Sequence, residues 1–185
     1  MKATGIVRRI DDLGRVVIPK EIRRTMRIRE GDPLEIYTDR EGEVIFKKYS
    51  PIGELTTFAA QYADTLYKTC GIAVLICDRD AVIAVGGVSK KEYLDKSLSK
   101  ALEDIMQGRS LYKYGVKEND GKIYPTDDEG SAYVSCAMPI ISEGDVIGCA
   151  VSLCEEGKKR ENAEAEVETK LITAAASFLG KQMES

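Results

Sequence analysis

The sequence predicts an α+β protein of two units, a small β-β-α-β-β head over residues 1–50 and a larger α-ββ-α-β-ββ-α body over residues 53–185. Three observations carry this. Short runs rich in Val and Ile are punctuated by Gly, Asp and Asn turn signals. The segment Ser50-Pro51-Ile52-Gly53 breaks the pattern once and marks a boundary. The charge also changes sign along the chain. Residues 1–29 hold nine Lys/Arg against three Asp/Glu, a net of +6, which leaves −10 on the remaining 156 residues.

In the head, Gly5–Ile10 and Arg15–Ile18 read as strands around an Asp11-Asp12-Leu13-Gly14 turn, with Gly14 the natural residue for positive φ. Pro19 fits the first helical position, and the helix Lys20–Ile28 follows until Gly31-Asp32-Pro33 ends it. Leu34–Thr38 alternates as a half-buried strand, Asp39–Gly42 turns, and Glu43–Lys47 returns. A unit below about 60 residues buries little surface on folding. This one has only Tyr37, Phe46 and Tyr49 as aromatics and neither a disulfide nor a metal to staple it. An obligate dimer is the remaining route to stability.

Beyond the boundary, Leu55, Phe58, Ala59, Tyr62 and Leu66 define an amphipathic helix over about 53–70. Ile72–Cys77 and Ala81–Val85 form a hairpin about Asp78-Arg79-Asp80. Lys90–Gln107 reads as one helix capped by Gly108, Leu111–Tyr114 as a short strand, and the polar stretch 118–130 as a mobile loop. Tyr133–Ile141 and Asp145–Leu153 form a second hairpin about Ser142-Glu143-Gly144. A final helix spans about 158–183. Its apolar positions Val167, Leu171, Ala174 and Phe178 are spaced like an a/d seam, which suits core packing and an oligomer interface equally.

Several function classes are excluded or weakened. With no histidine in the chain, Ser-His and Cys-His nucleophile pairs and His metal ligands are absent. The five cysteines form no C-x-x-C pair, and four sit in or beside apolar strand-like runs as buried thiols. No metal or cofactor is expected. The acidic residues Asp78, Asp80, Asp127, Asp128 and Glu129 read as solvated turn residues. A thiol reductase using Cys70, Cys77 or Cys136 is the weak enzymatic alternative, and the expectation is a non-enzyme. No apolar run approaches the roughly 20 residues of a membrane span, so a soluble, cytoplasmic protein is expected.

The basic head is the informative feature. At about 100° per residue, Lys20, Arg23, Arg24 and Arg27 share an arc of about 100°, with Ile22 and Met26 opposite. Arg8 and Arg15 bracket the turn. A charge run is also what an ordinary solvated helix face looks like, but these charges are nearly all arginine, whose planar fork suits phosphates and guanine edges. Residues 1–29 lack Asn, Gln and aromatics, which favours duplex DNA read through phosphates and shape over stacked single strands.

The residues Lys2–Thr25, with a G-R-V-V-I-P core followed by an R-R helix, resemble the AbrB-type, or swapped-hairpin, DNA-binding domain of bacterial transition-state regulators over residues 1 to about 50. Over its full length the chain is similar to sporulation regulators in which such a head precedes a GAF-like domain. The resemblance implies a swapped-hairpin β-barrel shared by two chains, followed by a GAF-like α/β domain flanked by amphipathic helices. It implies a homodimer through the head, a homotetramer through the helices around the GAF-like domains, double-stranded DNA as partner, and activation as well as repression of sporulation genes at the nucleoid. Family DNA contacts fall on Arg8, Arg15, Arg23 and Arg24, with Arg9 in the same stretch. A small-molecule ligand of the GAF-like domain would need convergent polar groups, for which Tyr112, Tyr114, Asp128, Tyr133 and Ser135 are the candidates; a pure assembly role is the alternative. An antitoxin-like or protein-interaction module, with the head as dimer platform, is the competing function.

Overall fold

The computed structural model describes residues 6–116, 121–128, 130–157 and 162–184. It divides into two compact units, Met1–Tyr49 and Ser50–Ser185.

In the first unit, helix α1 (Lys20–Thr25) is followed by strands β1 (Leu34–Thr38) and β2 (Val44–Lys48), which pair antiparallel with Ile36 opposite Phe46. Asp39 sets their turn, its Oδ1 accepting from the N–H groups of Glu41 and Glu43 at 3.0 and 2.8 Å. The two strands expected over 5–10 and 15–18 do not form within one chain: residues 6–18 carry no strand. The turn is present, closed by Gly14 N–H to Asp11 C=O at 3.0 Å and Asp11 N–H to Arg15 C=O at 3.1 Å. Its arms have no third strand to pair with, and a lone two-stranded hairpin is marginal in water. Their apolar side chains stay wet, Val7 at 88% and Val17 at 73% exposure. Pro19 is the one buried residue among the described residues of this unit.

Helix α1 is also shorter than expected. Its first helical residue is Lys20, one place after Pro19, and it stops at Thr25 rather than Ile28. The chain then turns through Arg27 in the left-handed region (φ 52°), and the Arg27 and Ile28 N–H groups close on the carbonyls of Arg24 and Arg23 at 3.2 and 2.7 Å. That is the bonding of a Schellman motif.

The second unit begins with a 3₁₀ turn (Pro51–Leu55) leading into α2 (Thr56–Cys70). Strands β3 (Ala73–Cys77) and β4 (Val82–Gly86) follow, then α3 (Lys90–Tyr93), α4 (Lys100–Gln107), β5 (Tyr112–Lys113), β6 (Ala132–Ser142), β7 (Asp145–Glu155) and α5 (Asn162–Gln182). The five strands make one antiparallel sheet of order β4-β3-β7-β6-β5. Glu143 and Gly144, both at positive φ, join β6 to β7 as a two-residue hairpin turn requires. The start of the final helix expected at 158 and loop residues 118–120 and 129 lie outside the described residues.

Alternation along β3 shows how the sheet is covered. Val74 and Ile76 face a core built with Ala59, Ala63 and Leu66 of α2 and Ile172, Ala175, Ala176 and Leu179 of α5. Leu75 and Cys77 face a second core with Tyr93 of α3, Leu98, and Leu102 and Met106 of α4. Both faces are thus dry. The single helix expected over 90–107 is two helices. Between them, the Asp95 N–H donates to Val82 C=O at 2.9 Å and the Val82 N–H to Lys96 C=O at 3.0 Å. The interruption satisfies the outer edge of β4, and Ser99 restarts the helix by accepting from the Leu102 N–H at 3.2 Å.

The α5 seam is divided: Leu171 packs against the core beneath the sheet, while Val167 and Phe178 do not. Val167 is 55% and Phe178 40% exposed, while Ile172, Ala175, Ala176 and Leu179 take the core. The Phe178 ring lies 5.7 Å from Phe58 and 5.8 Å from Tyr62, so α2 and α5 share one aromatic strip at the surface. The β6–β7 turn is tied on two sides, by Arg109 Nη1 donating to Gly144 C=O at 2.8 Å and by the Glu143 N–H donating to Glu184 Oε1 at 3.4 Å.

Two glycines set helix-to-sheet approach. A Cβ at Gly86 would collide with the Ala63 carbonyl, and one at Gly180 with the Ile141 carbonyl, both rigid backbone. Gly86→Ala and Gly180→Ala should each cost about 1–3 kcal/mol in urea unfolding of the full chain. Gly121→Ala, where the space is open, should stay within about 0.5 kcal/mol of the parent.

Candidate nucleic-acid interface

The arginines are presented by two local devices. The first is the turn. Asp11 Oδ1 accepts the N–H groups of Leu13 and Arg15 at 3.0 and 2.7 Å, and its Oδ2 takes Arg15 Nε at 2.8 Å. One carboxylate therefore folds the backbone and aims the Arg15 guanidinium. The bond from the Arg15 N–H, and next the one from its side chain, hold the Asp11 carboxyl below its usual range. Arg8 and Arg9 stand exposed on the arm before this turn.

The second device is α1. The Arg23 N–H opens the helix by donating to Pro19 C=O at 3.0 Å, and Arg23 and Arg24 are both exposed in its last turn. No residue of α1 is buried in the single chain, Ile22 included, and Met26 just past its end, on the same side opposite the cations, is exposed as well. Sequence reading places Arg27 on that helical arc. The structure instead puts it past the helix, with its carbonyl accepting from Lys48 Nζ at 2.9 Å. Arg29, counted with the basic charges, is half-buried in a turn where its N–H donates to Asp32 Oδ2 at 2.7 Å. The Gly31-Asp32-Pro33 signal is what could have shown this.

Four of the polar groups considered for a ligand in the body are engaged with other side chains. Tyr114 and Tyr133 pack ring on ring at 4.7 Å, and Lys122 Nζ sits 5.1 Å from the Tyr133 ring. Lys122 Nζ and Tyr124 OH both donate to Glu156 Oε1, at 2.8 and 3.0 Å. The pair with Glu156 raises the Lys122 ammonium pKa and lowers that of the Glu156 carboxyl. Ser135 Oγ donates to the buried Glu168 carboxylate at 3.1 Å, and Asp128 pairs with Lys96 at 3.4 Å. These groups pin loop to sheet and helix to sheet. A groove of about 460 Å³ lies elsewhere, lined by Tyr67, Lys68, Gly71, Ala73, Gly87, Leu153 and Glu155.

Four of the five cysteines are buried and Cys70 is exposed. Burial raises the thiol pKa of Cys77 and Cys149 and, with the nearby Glu168 charge, pushes Cys136 up to about 12. A reactive thiolate needs the opposite shift.

The first unit exposes its arginines, and the second, an antiparallel sheet covered by helices on both faces, has the GAF fold. The GAF domain of A. aeolicus NLH2 superimposes on 70% of this chain and 89% of its own at a TM-score of 0.50 and 15% identity, a likeness of fold alone. Residues 7–53 match the family described as antidote-toxin recognition MazE, bacterial antitoxin. The transition state regulatory protein AbrB of Bacillus subtilis is 65% identical over 51 residues, 28% of this chain and 52% of that protein. Residues 54–184 match the family described as stage V sporulation protein T C-terminal, transcription factor. Stage V sporulation protein T of Bacillus subtilis is 56% identical over 188 residues, covering 100% of this chain and 99% of that one. The chain belongs to the stage V sporulation protein T family of transcription factors.

Because the Asp11 carboxyl is held low in the folded chain, its contribution to the turn is full above its ordinary value near pH 4 and is lost as the pH falls through the lowered one. A carboxyl-carbon NMR titration should place the Asp11 midpoint below that of a peptide aspartate. A midpoint at or above it would mean that the Arg15 bonds do not hold the turn.

Proposed function

We propose that two chains complete each other's heads by exchanging hairpins into one barrel, and that the pair binds duplex DNA through Arg8, Arg9, Arg15, Arg23 and Arg24. The observation that carries the reading is the pairing of exposed arginines with an uncovered apolar surface. Val7, Ile10, Leu13, Val17 and Ile36 are exposed in a unit whose described residues bury only Pro19. A second copy is the natural cover, and a two-fold partner doubles the cations on one assembly. The likeness of the head to a transition state regulatory protein supports the same reading. The domains act as a DNA-binding head over 1–50 and an assembly body over 53–185. The seat of action is the cytoplasm, at the nucleoid, where sporulation genes are activated or repressed. No helix among the described residues is long and apolar enough to cross a membrane.

In the body, the strip of Phe58, Tyr62, Val167 and Phe178 joins two dimers into a tetramer. A small-molecule ligand belongs to the same reading, and the groove beside Tyr67, rimmed by Lys68 and Glu155, offers it a place. The antitoxin-like alternative draws on the match of residues 7–53. It calls for a disordered tail after the head, whereas residues 50–185 carry two buried cores.

With Arg8, Arg15, Arg23 and Arg24 each on a phosphate, about eight contacts per dimer, affinity for duplex DNA should fall on the order of 10³- to 10⁵-fold between about 50 and 200 mM salt. Arg24→Ala should weaken binding and flatten that dependence while leaving the melting temperature unchanged. A salt slope near zero for the parent protein would refute the reading.

Light scattering should give a tetramer for the parent chain and a dimer for Phe178→Asp. A variant that stays tetrameric would remove the aromatic strip from the interface.

A further inference from the structure

Arg15 differs from the other arginines of the proposed DNA surface. Among the described residues, the side chains of Arg8, Arg9, Arg23 and Arg24 have no partner, whereas Arg15 Nε donates to Asp11 Oδ2 at 2.8 Å. The turn does not need that bond. Asp11 Oδ1 alone takes the Leu13 and Arg15 N–H groups, at 3.0 and 2.7 Å, which leaves Oδ2 for the guanidinium. Stability gains little from it either, because the pair is exposed, 70% at Arg15 and 37% at Asp11, and water screens it. What the bond does fix is the set of donors that remain. With Nε committed to Asp11, the side-on fork of Nε and one Nη is lost, and Arg15 is left with its end-on pair, Nη1 and Nη2.

We infer that Arg15 is the specificity-determining residue of this surface, reading guanine at the base edge with Asp11 as its positioning residue, while Arg8, Arg23 and Arg24 hold phosphates. This rests on the DNA-binding reading above. A carboxylate beside the guanidinium cancels most of its charge at a distance, so the pair gains less from a polyanionic backbone than a bare arginine does. Hydrogen bonding survives that cancellation. Guanine presents O6 and N7 side by side in the major groove, and an end-on guanidinium matches the two acceptors with both Nη groups. Adenine sets one acceptor beside a donor there and cannot be matched in the same way. The two-fold partner brings a second reader to the same duplex. Phosphate contacts then number about six per dimer, which keeps the salt dependence of affinity steep.

The test sets the full chain, Asp11→Asn and Arg15→Lys against fluorescein-labelled duplexes of equal length, one built of A·T pairs and one carrying G·C pairs. In Asp11→Asn the amide oxygen still accepts the two N–H groups of the turn, but the NH₂ beside it cannot accept from Arg15 Nε. One bidentate contact discriminates by about 5- to 150-fold, so with one from each chain the parent should favour the guanine duplex by at least about 25-fold. Both variants should bind the A·T duplex as the parent does and lose the preference. Replacing guanine by 7-deazaguanine, which lacks the N7 acceptor, should remove most of the parent's preference. A preference that survives this replacement comes from duplex shape and overturns the inference. So does a parent without preference, and so does a variant that keeps the preference or weakens on both duplexes alike. Arg15→Lys retains Asp11 and its backbone bonds, so it decides the matter if Asp11→Asn melts early. Where the parent shows no salt-dependent binding to either duplex, the DNA-binding reading fails first. A steep salt dependence on both, with equal affinity, sinks this inference alone.

Discussion

Apolar surface must be covered, and the two units of this chain meet that demand differently. The body does so internally. Its sheet has Val74 and Ile76 on one face and Leu75 and Cys77 on the other, and each face receives its own pair of helices. The head has β-branched residues at strand spacing, and among its described residues nothing lies over them. Among its described residues the only ladder is β1 with β2. At roughly 25 cal/mol per Å² of apolar surface, leaving Val7, Ile10 and Val17 in water forgoes several kcal/mol. For a unit this small that decides between folding and not folding. Oligomerisation is thus a condition of the head's structure, and its cations come with it.

Much of this was legible in the sequence. The body's hairpins followed from apolar runs around Asp78–Asp80 and Ser142–Gly144, because a turn between two such runs leaves little else to form. The buried cysteines were equally open to reading. What escaped depended on partners that a linear pattern does not contain. Residues 6–10 and 15–18 have strand composition, but a strand needs a neighbour and the single chain supplies none. Lys90–Gln107 has helical periodicity throughout, yet the edge of β4 draws Asp95 and Lys96 out of the helix. The α5 seam had correct spacing for either role, and only the packing shows that Leu171 joins the core while Val167 and Phe178 stay at the surface.

The arginines divide in the same way. Residue type and clustering marked Arg8, Arg15, Lys20, Arg23, Arg24 and Arg27, and the resemblance to AbrB-type heads singled out Arg8, Arg15, Arg23 and Arg24, with Arg9 in the same stretch. Spacing alone also placed Arg27 on the helical arc, because the Schellman turn has no glycine to announce it. Likewise, Tyr112, Tyr114, Asp128, Tyr133 and Ser135 were the candidates for lining a pocket. Tyr114 packs on Tyr133, Ser135 bonds Glu168 and Asp128 pairs with Lys96. Polar side chains near an apolar sheet are usually satisfied by one another before any ligand arrives.

The two-residue turn between β6 and β7 joins more than two strands. Arg109, at the end of α4, grips its Gly144 carbonyl, and Glu184, just past α5, receives its Glu143 N–H. The helical layers on opposite sides of the sheet therefore share one anchoring point. A slide of α4 along its face would tug the hairpin tip and, through it, the tail of α5 beside the exposed aromatic rings, so disturbance on one side of the sheet has a short mechanical route to the other.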